Sequence, residues 1–224
     1  LCLQEDSADH VLRMLRGAMQ ELRVGNPDQL ATDVGPVIDA QARADIEAYI
    51  EQMRSQGHTV TRLDLPAECR HGHFVAPTLI EVSRVQDLSR EVFGPVLHVL
   101  RYARKDMDAL LQDINSLGFG LTFGVHTRLD ETVAHVSERI HAGNIYVNRN
   151  GVGAVVGVQP FGGEGLSGTG PKAGGPLYLR RLLAVAPAQP RPQLNTDPRR
   201  VQPLARWREA LTQRGLADEA ARCD

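Results

Sequence analysis

A glycine-rich stretch at positions 159–176 is the feature that most limits how this chain can fold. It lies between two predominantly apolar segments, and it contains Phe161, Leu166 and several prolines as well as glycines. Flexible linkers rarely carry an aromatic residue, a leucine and prolines at irregular spacing, so a linker is the weaker interpretation. We interpret the stretch as an ordered loop whose backbone comes close to another group, because glycine permits an approach that a side chain would block.

The composition is typical of a globular protein with a hydrophobic core. The chain has 224 residues, 42% of them hydrophobic, which is enough for one large domain or for a domain with an appendage. Its 25 basic and 27 acidic residues leave a formal charge of -2, which gives no electrostatic reason to expect nucleic acid or an anionic membrane as the main partner. No stretch has the roughly 18 to 20 apolar residues of a membrane span.

The three cysteines, Cys2, Cys69 and Cys223, are widely spaced and form no C-x-x-C pair. Neither a disulfide framework nor a thiolate zinc site is indicated, and a reducing cytoplasm is the expected compartment. We also expect the sequence to be cut from a longer protein, because it begins at Leu1 without an initiator methionine.

Helical and extended patterns alternate along most of the chain, which predicts an α/β fold with a largely parallel sheet. One helix should follow a cap at residues 5–7 and end at Gly25, and a second should run from a cap at Asp39 to Gly57. Further helices are predicted at 105–115 and 129–141. Strands are predicted at 1–4, 60–63, 74–82, 96–102, 119–125 and 144–148. Pro77 predicts that the strand at 74–82 is an edge strand or is interrupted.

The last forty residues differ in composition from the rest. A short helical or extended segment is predicted at 177–183, and prolines then become frequent. We predict a folded domain at 1–185, a proline-rich linker at 186–203 and a terminal helix at 204–224.

Three kinds of reactive site can be weighed from the residues alone. A phosphate-binding loop is disfavoured because Pro171 intervenes before Lys172 and Ala173 stands where a hydroxyl is needed. The cluster at 69–73 offers one cysteine and two histidines, which is at most a partial metal site, so a surface loop is preferred. Cys2 is expected to be a buried structural thiol and Cys69 to lie in a polar loop, so neither is an attractive nucleophile.

A fourth candidate is the segment from Arg90 to Pro95, where Glu91 precedes Val92, Phe93 and a Gly-Pro turn. Such a turn can hold a carboxylate at the carboxyl end of a strand facing a cleft, where it would accept hydrogen bonds from two ribose hydroxyls. The alternative is a solvated glutamate on a loop.

Several motifs, in this order and at these intervals, resemble the aldehyde dehydrogenase superfamily. They are Glu91-Val92-Phe93-Gly94-Pro95, Gly120-Leu121-Thr122-Phe123-Gly124-Val125, Gly143-Asn144-Ile145-Tyr146-Val147-Asn148, and Pro160-Phe161-Gly162-Gly163 with Ser167-Gly168. Positions 148–176 are more narrowly similar to the 1-pyrroline-5-carboxylate dehydrogenase half of the bifunctional proline utilisation A proteins. The resemblance covers about residues 1–185. It implies a partial three-layer catalytic domain with a mostly parallel sheet.

The resemblance also implies roles for individual residues. Glu91 would bind the nicotinamide ribose of NAD, and Phe93 would pack beside that ribose. Phe161 would form one wall of the pocket for the aldehyde chain. Gly174 and Gly175 would form the loop that anchors the amino and carboxylate end of glutamate semialdehyde.

No catalytic residue of the family is matched within the chain. The nucleophilic cysteine and the general-base glutamate are expected upstream of Leu1, and Cys2 does not inherit the nucleophile's role. Val155 occupies a position where many relatives carry an aromatic residue, which fits a smaller, polar substrate.

The implied activity of the parent protein is the NAD-dependent oxidation of glutamate semialdehyde to glutamate in proline catabolism. Implied partners are the small aldehyde, a proline dehydrogenase domain of the same polypeptide that carries FAD, and further copies of the chain in a homo-oligomer. No metal is implied, and peripheral membrane association is an added expectation for the parent. Two alternatives stay open: another semialdehyde or general aldehyde dehydrogenase, and a non-catalytic folding or assembly module formed by this segment alone.

Overall fold

The computed structural model describes residues 1–88, 90–151, 158–183 and 212. The chain divides into two compact units, Leu1–Gly175 and Pro176–Asp224. The predicted boundaries at 185 and 203 fall outside the described residues, and so do the predicted linker and, apart from Thr212, the predicted terminal helix. In the second unit the described residues include the helix α5 (Tyr178–Arg181), within the segment predicted to be helical or extended. Thr212, within the predicted terminal helix, is also helical.

Among its described residues the first unit has four α-helices and eight strands, mixed along the chain. The helices are α1 (Glu5–Gln20), α2 (Ala40–Ser55), α3 (Met107–Ser116) and α4 (Asp130–Arg139). The strands are β1 (Cys2–Gln4), β2 (Thr59–Arg62), β3 (Thr78–Val82), β4 (Val96–Tyr102), β5 (Phe119–Gly120), β6 (Thr122–Val125), β7 (Asn144–Val147) and β8 (Glu164–Gly165). Short 3-10 turns at Ala67–His71, Val85–Asp87 and Arg104–Asp106 connect them.

The main sheet has four strands in the order β1-β4-β3-β2. The pairs β1–β4 and β3–β4 are parallel, and β2 runs antiparallel to β3, so the prediction of a largely parallel sheet is confirmed. Of the two alternatives inferred from Pro77, the edge position is wrong, because β3 lies between β4 and β2. The other alternative, an interrupted strand, agrees with the structure, because residues 74–77 of the predicted strand are not in β3. The strand begins one residue later, at Thr78, so the missing amide hydrogen of Pro77 leaves no gap in the ladder.

Helices cover both faces of this sheet, which gives the predicted three layers. On one face Leu79 and Val99 pack against Ala8 and Leu12 of α1. On the other face the alternate residues of β3 and β4 pack against α2 and α3. That second cluster contains Ile46, Tyr49, Ile50, Met53, Ile80, Val82, Leu100 and Leu110. The two clusters follow from the alternation of side chains along a strand.

A smaller core lies where α3 and α4 pack on the parallel pair β6–β7. Its buried residues are Leu111, Val136 and Ile140. The sequence predicted one strand at 119–125, but the structure has two, separated at Leu121. β6 pairs with β7, whereas β5 pairs with β8, which comes from the glycine-rich loop.

The helix ends follow local signals to different degrees. Asp39 caps α2 as predicted, accepting a hydrogen bond from the Ala42 amide at 2.7 Å, and Gly57 follows the helix with a φ of 90°. The start of α1 differs, because Gln4 is its N-cap and Glu5 is already helical. That helix ends at Gln20, more than a turn before the predicted stop at Gly25.

Among the described residues no helix is both long and apolar enough to cross a membrane.

Candidate active-site loop

The glycine-rich loop folds back on itself through one pair of backbone contacts. Phe161 and Ala173 form an isolated antiparallel bridge, in which each amide donates to the other's carbonyl at 3.0 and 2.9 Å. The half-buried Phe161 therefore lies directly opposite the residue that precedes Gly174 and Gly175. Three residues that sequence analysis assigned to substrate binding are thus brought together.

Strand β8 attaches the middle of the loop to β5. Phe119 pairs with Gly165, and Gly120 pairs with Glu164. The Leu166 amide donates to the Gly118 carbonyl at 2.8 Å, and the Gly120 amide donates to the Ser167 hydroxyl at 3.1 Å. The prediction of an ordered loop agrees with the structure over residues 159–175, where the partners of 164–167 lie about 45 positions earlier in the chain.

The first arm of the loop lies against the start of β7. Gly143 is buried there, and a Cβ atom at that position would overlap the backbone of Gly162 and Gly163. The Asn144 side chain donates to the Pro160 carbonyl at 3.1 Å and accepts from the Gly162 amide at 3.4 Å. The predicted close backbone approach is therefore real, and the group approached is the protein's own strand.

The second arm ends in a tight turn at residues 172–175. The Gly175 amide donates to the Lys172 carbonyl at 3.0 Å. Gly174 has a φ of 73°, a backbone conformation that residues other than glycine rarely adopt. No described atom lies within 4 Å of a Cβ position on Gly174, so that side of the turn is open.

Two side chains of the first unit, Lys172 and Gln159, support this loop, a role that the sequence did not predict for either. The Lys172 ammonium donates to the Gly143 carbonyl, and the Gln159 amide donates to the Tyr146 hydroxyl at 2.7 Å. The Arg149 guanidinium lies 4.5 Å from the centroid of the Tyr146 ring, in a cation–π contact.

The segment with Glu91 and Phe93 lies at a different place from that expected on chemical grounds. β3 and β4 are parallel, so after β3 the chain must return to the other edge of the sheet before β4 begins. The segment lies at that edge and leads into the amino end of β4. The expected position of Glu91 at the carboxyl end of a strand is therefore wrong. Both side chains are exposed, Phe93 by 86%. Within 90–151 and 158–183, the structure gives no hydrogen bond or ion pair between Glu91 and the glycine-rich loop.

Neighbouring contacts hold this segment in place. Arg90 donates to the Asp45 carbonyl at 3.2 Å and lies 5.5 Å from the centroid of the Tyr49 ring. Gly94 is pressed against α2, since a Cβ atom there would lie 2.6 Å from the Ile46 side chain. The exposed Glu91 and Phe93 are thus carried on an anchored backbone.

Neither described cysteine has the environment of a reactive thiolate. Cys69 is buried against Val24 and Phe74, its thiol donating to the Val24 carbonyl at 3.7 Å, and burial raises its pKa. The prediction that Cys69 lies in a polar loop is therefore wrong. Cys2 is exposed and not buried as expected, yet desolvation at the sulfur raises the pKa of its thiol as well. Cys223 lies outside the described residues.

The described ranges contain no group of three or more histidine, cysteine, aspartate or glutamate side chains that could hold a metal ion. Cys69 is buried in the core, and the Arg70 guanidinium donates a hydrogen bond from Nε to the His71 Nε2 atom at 3.1 Å. Residues Ala67–His71 form a 3-10 turn, in which Cys69 is the buried residue.

Comparison with known proteins identifies the family to which the chain belongs. A model described as the aldehyde dehydrogenase family matches residues 1–186, which include both the Glu91 segment and the glycine-rich loop. The chain belongs to the aldehyde dehydrogenase family. The fold expected for such a dehydrogenase, a partial three-layer catalytic domain, is likewise confirmed.

Individual relatives narrow the similarity within the aldehyde dehydrogenases. The chain is 62% identical over 192 residues to the bifunctional protein PutA of Klebsiella aerogenes, covering 84% of the chain and 15% of that protein. It is 38% identical over 177 residues to 1-pyrroline-5-carboxylate dehydrogenase of Geobacillus sp. (strain WCH70), covering 78% of the chain and 34% of the relative. A crystal structure of proline utilization A from Bradyrhizobium japonicum superposes with a TM-score of 0.75 at 49% identity, covering 80% of the chain and 18% of that protein. The chain thus spans about one seventh of the length of the PutA relatives it matches.

Proposed function

We propose that this chain forms part of the catalytic domain of an NAD-dependent dehydrogenase that oxidises L-glutamate γ-semialdehyde to L-glutamate in proline catabolism. The observation that carries the proposal is the bridge between Phe161 and Ala173, beside the open turn at Gly174 and Gly175. A semialdehyde with an amino-acid end needs an apolar wall for its methylene chain and backbone amides for its carboxylate. The similarity to PutA and to 1-pyrroline-5-carboxylate dehydrogenases supports the same substrate.

Glu91 and Phe93 are the proposed contacts to the nicotinamide ribose. Their side chains are exposed, and Glu91 forms no ion pair with any described residue, so both are free to contact a bound molecule. A carboxylate can accept hydrogen bonds from two ribose hydroxyls, and an aromatic ring can pack beside the sugar. NAD, when bound, supplies the acceptor for the hydride that leaves the substrate.

We further propose that the described residues contain neither the nucleophilic cysteine nor the general base. A thiol nucleophile needs a lowered pKa or an adjacent base, and both described cysteines have a raised thiol pKa. The part of the active site formed here would then recognise and orient the substrate and the cofactor.

The parent protein is proposed to be bifunctional and to form a homo-oligomer. The similarity to proteins named bifunctional PutA supports a proline dehydrogenase half in the same polypeptide, with FAD as its cofactor. A cytoplasmic location is proposed on the same similarity.

The test is NAD reduction by the full-length parent protein with 1-pyrroline-5-carboxylate and, separately, with propanal. We expect kcat/KM to be far higher for 1-pyrroline-5-carboxylate. Turnover of propanal without turnover of 1-pyrroline-5-carboxylate would instead indicate a general aldehyde dehydrogenase. Gly174→Ala should raise KM for 1-pyrroline-5-carboxylate, because alanine disfavours the positive φ that shapes the anchoring turn.

A second candidate is that these residues alone act as a non-catalytic assembly module. Exposed apolar side chains around β5 and β8 favour it: Phe119 is 51% exposed, Leu121 43% and Leu166 73%. The isolated 224 residues should then reduce no NAD with any aldehyde and should self-associate in sedimentation velocity. NAD-dependent turnover by the isolated chain, or a strictly monomeric profile, would count against the respective half of this expectation.

A further inference from the structure

Lys172 is chemically unusual in this chain. Of the 25 basic residues, 23 are arginine, and the two lysines stand at 105 and 172. An ammonium group is compact and donates in three directions, whereas a guanidinium is a wide planar fork. A narrow site that must satisfy one carbonyl oxygen suits lysine and would not accommodate arginine as easily.

The Lys172 side chain lies in such a narrow site. Its ammonium donates to the carbonyl of the buried Gly143, at the start of β7. On the way it passes Gly162, where a Cβ atom would lie 3.2 Å from the Lys172 Cα and 3.4 Å from its Cγ. The stem therefore crosses from the second arm of the loop, over the first arm, to the strand beneath.

The main chain of Lys172 has a separate part in the same structure. Its carbonyl accepts the Gly175 amide at 3.0 Å, which closes the turn that contains Gly174. The next residue, Ala173, pairs with Phe161. One residue thus closes the proposed anchoring turn with its backbone and fixes that turn to β7 with its side chain.

We propose that Lys172 is a positioning residue that sets the distance and orientation of the Gly174–Gly175 turn relative to Phe161. This inference rests on the proposed function and deepens it, because a substrate with a charged amino-acid end needs the turn and the aromatic wall at a fixed separation. A simple aldehyde without a carboxylate does not use the turn. Loss of the ammonium should therefore affect the first kind of substrate selectively.

The test is carried out in the full-length parent protein with three variants. Lys172→Met keeps most of the apolar stem and removes the donor, and Lys172→Gln keeps a neutral donor. Lys105→Met is the matched control, since Lys105 lies in the 3-10 turn Arg104–Asp106 and lines a surface pocket with residues of α3 and α4 and none of the loop. For each variant, KM and kcat are measured with 1-pyrroline-5-carboxylate and with propanal, and the inhibition constant of the product L-glutamate is determined.

We expect Lys172→Met to raise KM for 1-pyrroline-5-carboxylate and the inhibition constant for glutamate by about tenfold or more, the effect typical of a lost charge-assisted hydrogen bond. Its kcat/KM for propanal should stay within about threefold of wild type, Lys172→Gln should give an intermediate rise, and Lys105→Met should match wild type. Equal losses with both substrates in Lys172→Met, or unchanged constants, would overturn the proposal. If Lys172→Met does not fold, Lys172→Gln decides the question by the same comparison.

The two proposals fail in different ways. A wild-type enzyme that oxidises propanal and leaves 1-pyrroline-5-carboxylate unchanged refutes the proposed function. A wild-type enzyme that oxidises 1-pyrroline-5-carboxylate, together with variants that show no difference between substrates, refutes the role of Lys172 alone.

Discussion

A Cβ atom on Gly143 would overlap the carbonyl oxygen of Gly162, so the start of β7 and the first arm of the loop fit together only when residue 143 has no side chain. The overlap is with backbone, which has no rotamer by which to move aside. The loop is consequently seated on the strand by a steric requirement as well as by hydrogen bonds.

Gly143→Ala should destabilise the protein by about 3 kcal/mol or more, because the added methyl group must displace the backbone of the loop. The free energy of unfolding in urea provides the measurement. Gly124→Ala is the matched control: Gly124 lies in neighbouring β6 with nothing within 4 Å of its Cβ position, so it should be close to neutral. Equal effects of the two substitutions would contradict this account of the packing.

Asn144→Ala should cost about 1–3 kcal/mol, because it leaves the Pro160 carbonyl and the Gly162 amide without their side-chain partner. Asn144→Asp keeps the acceptor for Gly162 and loses the donor to Pro160, so its cost should differ from that of alanine. Urea unfolding, with hydrogen exchange of the Gly162 amide as a local readout, tests this. Wild-type protection of that amide in Asn144→Ala would be the contrary result.

Glu81→Gln should lower the free energy of unfolding by about 1 kcal/mol, more than a surface charge usually contributes. The Glu81 side chain is 20% exposed and pairs with Arg16 at 2.6 Å and with Arg101 at 3.4 Å, which ties α1 to the main sheet. Glu51→Gln is the comparison, because it removes an ion pair in which the side chain of Arg54 is 49% exposed and that of Glu51 is 67% exposed. Its free energy of unfolding should change by no more than about 0.5 kcal/mol. Urea unfolding of both variants at low and high salt is the measurement, and the reverse order of costs would refute the argument.

The protein should lose stability as the pH falls through the unfolded-state pKa of His98. Burial lowers the pKa of His98 below its usual value of 6.5, and its Nε2 atom lies 2.8 Å from the Tyr49 hydroxyl. Because the folded state holds this imidazole neutral, the unfolded state binds more protons below pH 6.5, so the stabilisation is present above that pH and declines below it. His98→Gln should flatten the decline in unfolding midpoint between pH 7 and 5, whereas the exposed His10→Gln should retain it. An identical profile for His98→Gln and wild type would show that His98 is not responsible.

Short-range sequence patterns predicted the helices and strands that are determined by neighbouring residues in the chain. Asp39, Gly57 and the apolar face with Ile46 and Ile50 sufficed for α2, and alternation sufficed for the faces of β3 and β4. Burial of Cys69 depended on Val24, 45 positions away, and the pairing of β8 depended on Gly120. Neither is visible in a short window, because such contacts are chosen by tertiary packing.

The candidate site was predictable to a different extent. Phe161, Gly174 and Gly175 stand within one glycine-rich stretch, and their roles were implied by its resemblance to the aldehyde dehydrogenases, not by the residues alone. The place of Glu91 could not be derived from its own segment, because the path of the chain after β3 decides which end of β4 it reaches. Lys172 carried no local signal, since its partner is a main-chain carbonyl 29 positions earlier.

The pairing of Gly120 with Glu164 also bears on the order of folding. The loop's strand has two residues and joins a partner more than forty positions away, so closing it costs chain entropy that few local contacts offset. The smaller core of α3, α4, β6 and β7 can form before that closure and offers the surface on which it takes place. The substrate-recognition loop should thus be among the last parts of the chain to become ordered and among the first to open, and a ligand that binds it would appear as slower hydrogen exchange confined to residues 159–175.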